Sequence, residues 1–437
     1  MAELKRDFGS FHSSNVQELI SIPDVEYIAP AIPFATPLFE DYRKSGPPFG
    51  KDVRRRHFLL EEECTFLNHG AFGAVMKEAL DVSQSWQTYT ERQPLRFLDR
   101  ELFPHLVAVI RRLAKFVGCA ASDLVLVRNA TTAINTVIRN LRIQKGDTIF
   151  ILSTTYGAVK KLLQVVCEES GATLQVAEVR LPLEGPDEIV QLVKDNLKKD
   201  SKIAVFDHIP SNTPFILPLV DIIEICHSRN VPVLIDGAHA LGSLPLDLST
   251  LNPDYYVSNC HKWFCCPKGS AFLFVRKELQ ETTRPLVISH GYGSGFNSEF
   301  VWTGLQDYSP YLALNTVLDF WEAVGPDIIR QYMYDLCREA VQLLTVAFGT
   351  RPVAPKDMFG TMALVELPPA LYENTDTVDY RTAEAIQNTL YYKYNIEVPV
   401  KSIQGHLYLR ISAHIYNCLE EYQHLAVAVQ DMKKKSG

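Results

Sequence analysis

Five short polar segments each follow an apolar, β-branched run, the position from which a sheet hands side chains to a ligand. RNATTAIN follows the run at 124–127, and Asn129, Ala130 and Thr131 open a helical stretch there. Small residues and hydroxyls at a helix start leave backbone N–H groups available to an anion, which the helix dipole also favours. The same residues can serve as an ordinary helix cap. STTYGAVKK follows the run at 148–152, and Tyr156 offers a ring that can stack on a flat ligand or simply pack. FDHIPSNTP places Asp207 and His208 where Pro210 and Pro214 preclude a helix. LIDGAHA sets Asp236 behind an apolar run. An unpaired carboxylate is costly there, so a cationic partner is expected, with a cap or a buried ion pair as the alternative. SNCHKW holds Lys262 between His261 and Trp263. A lysine amine forms an imine with an aldehyde when burial or nearby cations lower its pKa, whereas a solvated surface lysine does nothing of the kind.

Together these segments describe one pocket: an anion cradle, a stacking ring, a carboxylate and an amine. Pyridoxal 5'-phosphate (PLP) requires that set. Its phosphate needs N–H donors and its ring needs a face partner. Its pyridine nitrogen needs a carboxylate to stay protonated, because the protonated ring is the electron sink. Lys262 is then the residue that carries the cofactor as a Schiff base.

The elements that must position these groups are legible as a rhythm. Apolar runs recur at 124–127, 148–152, 173–179, 202–206, 231–235, 255–257 and 271–275, and amphipathic stretches such as GAVKKLLQVVCEES separate the first five. This alternation predicts an α/β fold whose mostly parallel, seven-stranded sheet is buried on both faces. A Gly-rich loop (SHGYGSGFNSEFVWTG) ends the rhythm, and a long helical region follows over 308–348. Strand-like MALVEL (362–367), a helix over 380–392, strand-like LYLRIS (407–412) and a helix over 419–434 predict a smaller α+β unit. The expected organisation is an irregular, Pro-rich N-terminal arm over 1–60, a large domain over 61–310 and a small C-terminal domain over 311–437. No internal repeat or low-complexity segment is present.

Composition bounds the function. The chain has 437 residues, 47% hydrophobic, enough for a large core and two domains. A net charge of −8 argues against nucleic-acid binding, and Arg54-Arg55-Arg56 is too short to be more than a solvated patch. No run approaches the ~18 apolar residues of a membrane span. The N-terminus lacks the apolar run of a secretory signal and is not the Arg-rich, acid-poor helix of a transit peptide. Nine scattered cysteines show no metal-ligand spacing, so no metal is expected and a reducing cytoplasm is the default location.

The ordered motifs NHGAFG, RNATTAIN, STTYGAVKK, DHIPSNTPFILP, IDGAHALG, NCHKWFCCPKG, WTGLQD and RISAHIYN resemble the class V aminotransferase family of fold-type I PLP enzymes. The resemblance runs from 66 to 417. It is nearest the branch of isopenicillin-N-epimerase-like proteins, cysteine desulfurases and ergothioneine C–S lyases. NHG, PLRFLDRE (94–101) and Tyr156, where desulfurases carry a stacking histidine, resemble the epimerase-like subgroup. The resemblance implies that Lys262 binds PLP and shuttles protons at the substrate α-carbon, that Asp236 pairs with the pyridinium, and that His239 lies near the phenolate oxygen. It implies that Tyr156 stacks on the ring and that Ala130 and Thr131 cradle the phosphate, assisted by Ser258 and His261. Thr303 and Gly304 would reach a neighbouring subunit's phosphate, so a homodimer with its site at the interface is expected. Arg410 would grip the substrate α-carboxylate through its planar fork. Asn68, His69 and Arg96 are further candidate substrate contacts.

One departure bears on the reaction. Persulfide-forming desulfurases carry a nucleophilic cysteine shortly before the carboxylate-binding arginine, and 391–409 contains none. The expectation is therefore a PLP-dependent lyase cleaving the Cβ–S bond of an L-cysteine conjugate or a hercynylcysteine-sulfoxide-like substrate to pyruvate and ammonia. α-Epimerisation, aminotransfer, and a PLP-binding relative without turnover are the alternatives.

Overall fold

The structure, a computed structural model, describes residues 15–373 and 377–436. Seven strands build its central sheet: β1 (Leu124–Val127), β2 (Thr148–Leu152), β3 (Thr173–Ala177), β4 (Ser201–Asp207), β5 (Val233–Asp236), β6 (Tyr255–Asn259) and β7 (Ala271–Val275). Their spatial order is β1-β7-β6-β5-β4-β2-β3. β7 runs antiparallel to β1 and β6, and every other pairing is parallel.

Side chains alternate between the faces of a strand. Phe150, Leu152, Ala204, Phe206, Val233 and Ile235 enter one core, and Ile149, Ile151, Ile203, Val205 and Leu234 enter another. Both faces are thus covered, which is why the strands read as unbroken apolar runs. Each such Val, Leu, Ile or Phe side chain contributes roughly 1.5–3 kcal/mol on full burial. The sheet agrees with the α/β expectation. Three strands extend past their apolar runs: β6 takes in Ser258 and Asn259, while β4 takes in Asp207 and β5 takes in Asp236, these two in register with each other.

The C-terminal part carries β8 (Met362–Glu366), β9 (Val400–Ile403) and β10 (His406–Ser412) in an antiparallel sheet ordered β9-β10-β8. β9 was not foreseen, because a four-residue strand after Pro399 has too few positions to show a period. The helical region over 308–348 is three helices, Ser309–Leu312, Leu314–Val324 and Pro326–Phe348. Gly325 and Pro326 impose the last break: Gly325 takes a φ of 98° and Pro326 is at the first helical position.

The N-terminal segment departs from the irregular arm expected over 1–60. Residues 1–14 lie outside the described residues, but helices occupy Asn15–Ser21, Glu40–Ser45 and Lys51–His57. Val16, Ile20 and Val53 enter the core. Arg54 is buried against Glu421 of the last helix at 2.9 Å and donates to the carbonyls of Glu61 and Cys64, both at 2.6 Å. The apolar spacing of these short helices is masked by the prolines between them.

Candidate active site

The carboxyl ends of β1, β2, β4, β5 and β6 open onto one cavity of about 200 Å³. Its lining includes Ala130, Thr131, Tyr156, Asp236, His239, His261 and Lys262, together with Asp207, Ser211 and Asn259. Thus nine of the residues singled out from sequence, Asn129 and Asp207 among them, are brought to one place by five different strand ends.

Lys262 Nζ lies 3.1 Å from His239 Nε2. Burial lowers the lysine pKa to about 8, partly opposed by the field of Asp236. An amine so poised is available as a nucleophile near neutral pH. Its backbone is held from below by NHGAFG. Gly73 takes a φ of 70°, and a Cβ there would sit 2.2 Å from the His261 carbonyl oxygen and 2.9 Å from Lys262 Cα. Only glycine allows that approach. Gly237 of IDGAHA has a similar reason, since a Cβ would meet the Tyr256 ring at 2.4 Å.

Asp236 accepts the Ala238 N–H at 3.0 Å and makes no salt bridge among the described residues. Asp207 lies opposite it in the parallel register, and both are buried. Burial, and then the Asp236 charge, push the Asp207 carboxyl well above the usual range. Burial raises the Asp236 carboxyl as well, opposed by the Ala238 N–H and then by the Lys262 charge. Asp207 was named from sequence only as a strand-end residue. Its signal was its offset, since it ends an apolar run just as Asp236 does.

At the helix opening with Ala130, the Asn129 side chain accepts the Thr132 N–H at 2.8 Å. The Ala130 N–H is engaged by Asn259 at 2.9 Å, so of these amides that of Thr131 is left for an anion. His261 donates from Nδ1 to the Ser270 carbonyl at 3.0 Å, and burial lowers its pKa to about 4. Tyr156, with 43% of its surface exposed, stands at the cavity edge.

Arg410 reaches the same region from β10. It donates to the Ser211 carbonyl at 2.7 Å and to Asn68 Oδ1 at 2.8 Å, while Asn68 donates to Glu397 at 2.9 Å. Its Nε is buried without a partner. Burial lowers the guanidinium pKa to about 10, which still leaves it charged.

Other expectations are placed elsewhere. His69, expected at the substrate, is fully buried behind Lys262. It bonds Tyr416 at 2.7 Å and the Lys262 carbonyl at 3.1 Å, because its motif packs under the lysine. Ser258, expected at the phosphate, lies beneath the cavity. Its hydroxyl donates to the Gly237 carbonyl and accepts the Leu241 N–H at 3.2 Å, bracing the turn that carries His239. Arg96 pairs with Glu101 at 3.3 Å and covers the Tyr89 ring, away from this cavity. Thr303 lines a separate cavity of about 220 Å³ with Arg128 and Gln306, and Gly304 follows it at a φ of 108°.

His69, Cys265 and His414 bring ligand-capable atoms within 4.8 Å of one another. Both His69 nitrogens are engaged, and burial drives the Cys265 thiol far above its usual pKa, so the group behaves as a hydrogen-bonded cluster.

The residues fit PLP. An uncommitted helix-start amide, a buried carboxylate without a salt bridge, and an amine of lowered pKa converge on one cavity, and an arginine with an unpartnered buried Nε stands beside it. These features define a PLP-dependent enzyme of fold type I. The family model "Aminotransferase class-V" matches residues 74–425, and the chain belongs to that family. A probable chloroplastic L-cysteine desulfhydrase of Arabidopsis thaliana is 31% identical over 401 residues, covering 84% of this chain and 82% of the relative. The hercynylcysteine sulfoxide lyase of Schizosaccharomyces pombe is 23% identical, covering 88% and 97%. Isopenicillin N epimerase of Amycolatopsis lactamdurans is 28% identical, covering 87% and 98%. Among solved structures, the cystine C–S lyase C-DES with its product cysteine persulfide has a TM-score of 0.72 at 21% identity, covering 85% of this chain and 98% of that one. A lysine-to-alanine variant of C-DES carries glycine linked covalently to PLP. No helix among the described residues is long and apolar enough to cross a membrane.

Proposed function

We propose that this PLP-dependent enzyme is a Cβ–S lyase acting on L-cysteine or a cysteine conjugate or sulfoxide. The overall change is R–S–CH2–CH(NH3+)–COO− plus water giving R–SH, pyruvate and ammonium, with the sulfenic acid R–SOH released in place of R–SH from a sulfoxide. The observation that carries this reading is the cavity lining, which offers one amine of lowered pKa and no thiol. Bound PLP supplies the electron sink that acidifies the substrate Cα–H. The chain's own residues do the rest. Thr131 and His261 would hold the phosphate, Tyr156 would face the ring, and Asp236 would hold a proton on the pyridine nitrogen. Arg410 would bind the α-carboxylate through its free Nε edge. Lys262 would take the Cα proton, and the sulfur would leave directly, since no cysteine lines the cavity. The desulfhydrase and sulfoxide-lyase relatives support the same reading.

Incubation with L-cysteine, S-alkyl cysteines and a cysteine S-oxide tests it. Pyruvate should form from at least one of them. Accumulation of the D-enantiomer without pyruvate would establish epimerisation instead, the second reading that the epimerase relative favours.

A further inference from the structure

Trp263 directly follows the cofactor lysine and is fully buried. Its ring lies 4.8 Å from His69 and stacks at 5.9 Å on His414 (centroid distances). The backbone behind it is closed off as well, since a Cβ on Gly242 would sit 2.8 Å from the Trp263 carbonyl. The indole therefore cannot swing away. Its Nε1 lies 3.3 Å from His239 Nδ1. An indole nitrogen only donates, so Nδ1 must accept. A neutral imidazole that accepts at Nδ1 carries its proton on Nε2, the atom 3.1 Å from Lys262 Nζ.

We propose that Trp263 is a positioning residue that locks His239 in its Nε2–H tautomer. His239 then presents a hydrogen-bond donor to the amine side of the cavity and never a base. An imidazolium would point its Nδ1–H at the indole N–H, donor against donor. The titratable groups acting on His239 give an imidazolium no support either: Lys262 and Arg410 are cations, and His69 is a second ring of the same kind. Two consequences follow. Lys262 is the only group of this pair that can carry a proton to and from substrate. A donor at Nε2 also suits the anionic phenolate oxygen of PLP, which can only accept. This inference concerns the cofactor's surroundings and stands whichever bond the enzyme breaks.

The test uses full-length protein labelled with 15N-histidine, without and with PLP, and the His239 signals are assigned by their loss in His239→Gln. The expected result is an unprotonated Nδ1 and a protonated Nε2 that persist from neutral to acidic pH. A protonated Nδ1 in the wild type would overturn the proposal, and this readout needs no variant and no substrate. Trp263→Phe removes the N–H and keeps most of the packing. The expected result is a mixed tautomer at His239, a new acidic limb in the pH profile of the cofactor's visible band, and a kcat about tenfold lower with KM changed less than about twofold. A Trp263→Phe protein that keeps the wild-type tautomer and pH profile would show that the indole only packs.

Discussion

At the residue scale the proposed chemistry rests on the lysine and the two carboxylates. Burial lowers the Lys262 pKa to about 8. The nucleophilic, neutral amine is therefore the minor form at pH 6 and the major form at pH 9. The rate at which PLP-free protein regains its visible band on adding PLP should rise through pH 8 and then level off, and Lys262→Ala should develop no band. A rate independent of pH would contradict this. Burial raises both the Asp207 and the Asp236 carboxyls, and the Asp236 charge adds to the rise at Asp207. Asp207→Asn leaves the Asp236 carboxylate in place, so PLP affinity should stay within about threefold. Asp236→Asn removes the charge proposed to face the pyridinium and should cost on the order of 2 kcal/mol, about thirtyfold, in PLP affinity. Fluorescence titration of the two variants checks the contrast.

At the element scale the strand ends were legible because the sheet is covered on both faces. The runs at 124–127, 148–152, 202–206, 231–235 and 255–257 stop where the core stops, so the polar residues that follow them mark the cavity. What sequence could not show was direction. His69 and Ser258 sit in motifs as specific as that of Lys262, yet both point into the support beneath it. A motif records that a residue is needed there and does not distinguish contact with the ligand from bracing of a neighbour. The N-terminal helices are a second example, because their tie to the body runs through Arg54. That guanidinium joins the helix Lys51–His57 to Glu421 across the full length of the chain. Arg54→Ala leaves the Glu421 carboxylate buried beside Asn417 without its cation. The expected loss is about 3–5 kcal/mol, read as a lower denaturant midpoint. Arg55→Ala, whose pair with Glu62 is mostly exposed, should change stability by less than about 1 kcal/mol.

At the scale of the whole molecule, the α/β architecture and its smaller α+β partner followed from the rhythm of runs, while the three-stranded sheet was only partly visible. β9 pairs with β10 through a hairpin too short to leave a period, yet β10 carries Arg410 to the cavity. Thr303, Gly304 and Arg96 stand outside that cavity. We propose that Thr303 and Gly304 meet the phosphate region of a second copy in a homodimer. Light scattering should give about twice the 49.3 kDa chain mass, and a monomer that binds PLP fully would refute this role.

Sulfur tracking in a single turnover of PLP-loaded enzyme with L-cysteine or an S-conjugate tests the lyase reading most directly. Pyruvate and free sulfide or thiol should appear in equal amounts, with no sulfur retained on the protein. Alanine with a protein-bound persulfide, or inverted substrate with no pyruvate, would contradict it.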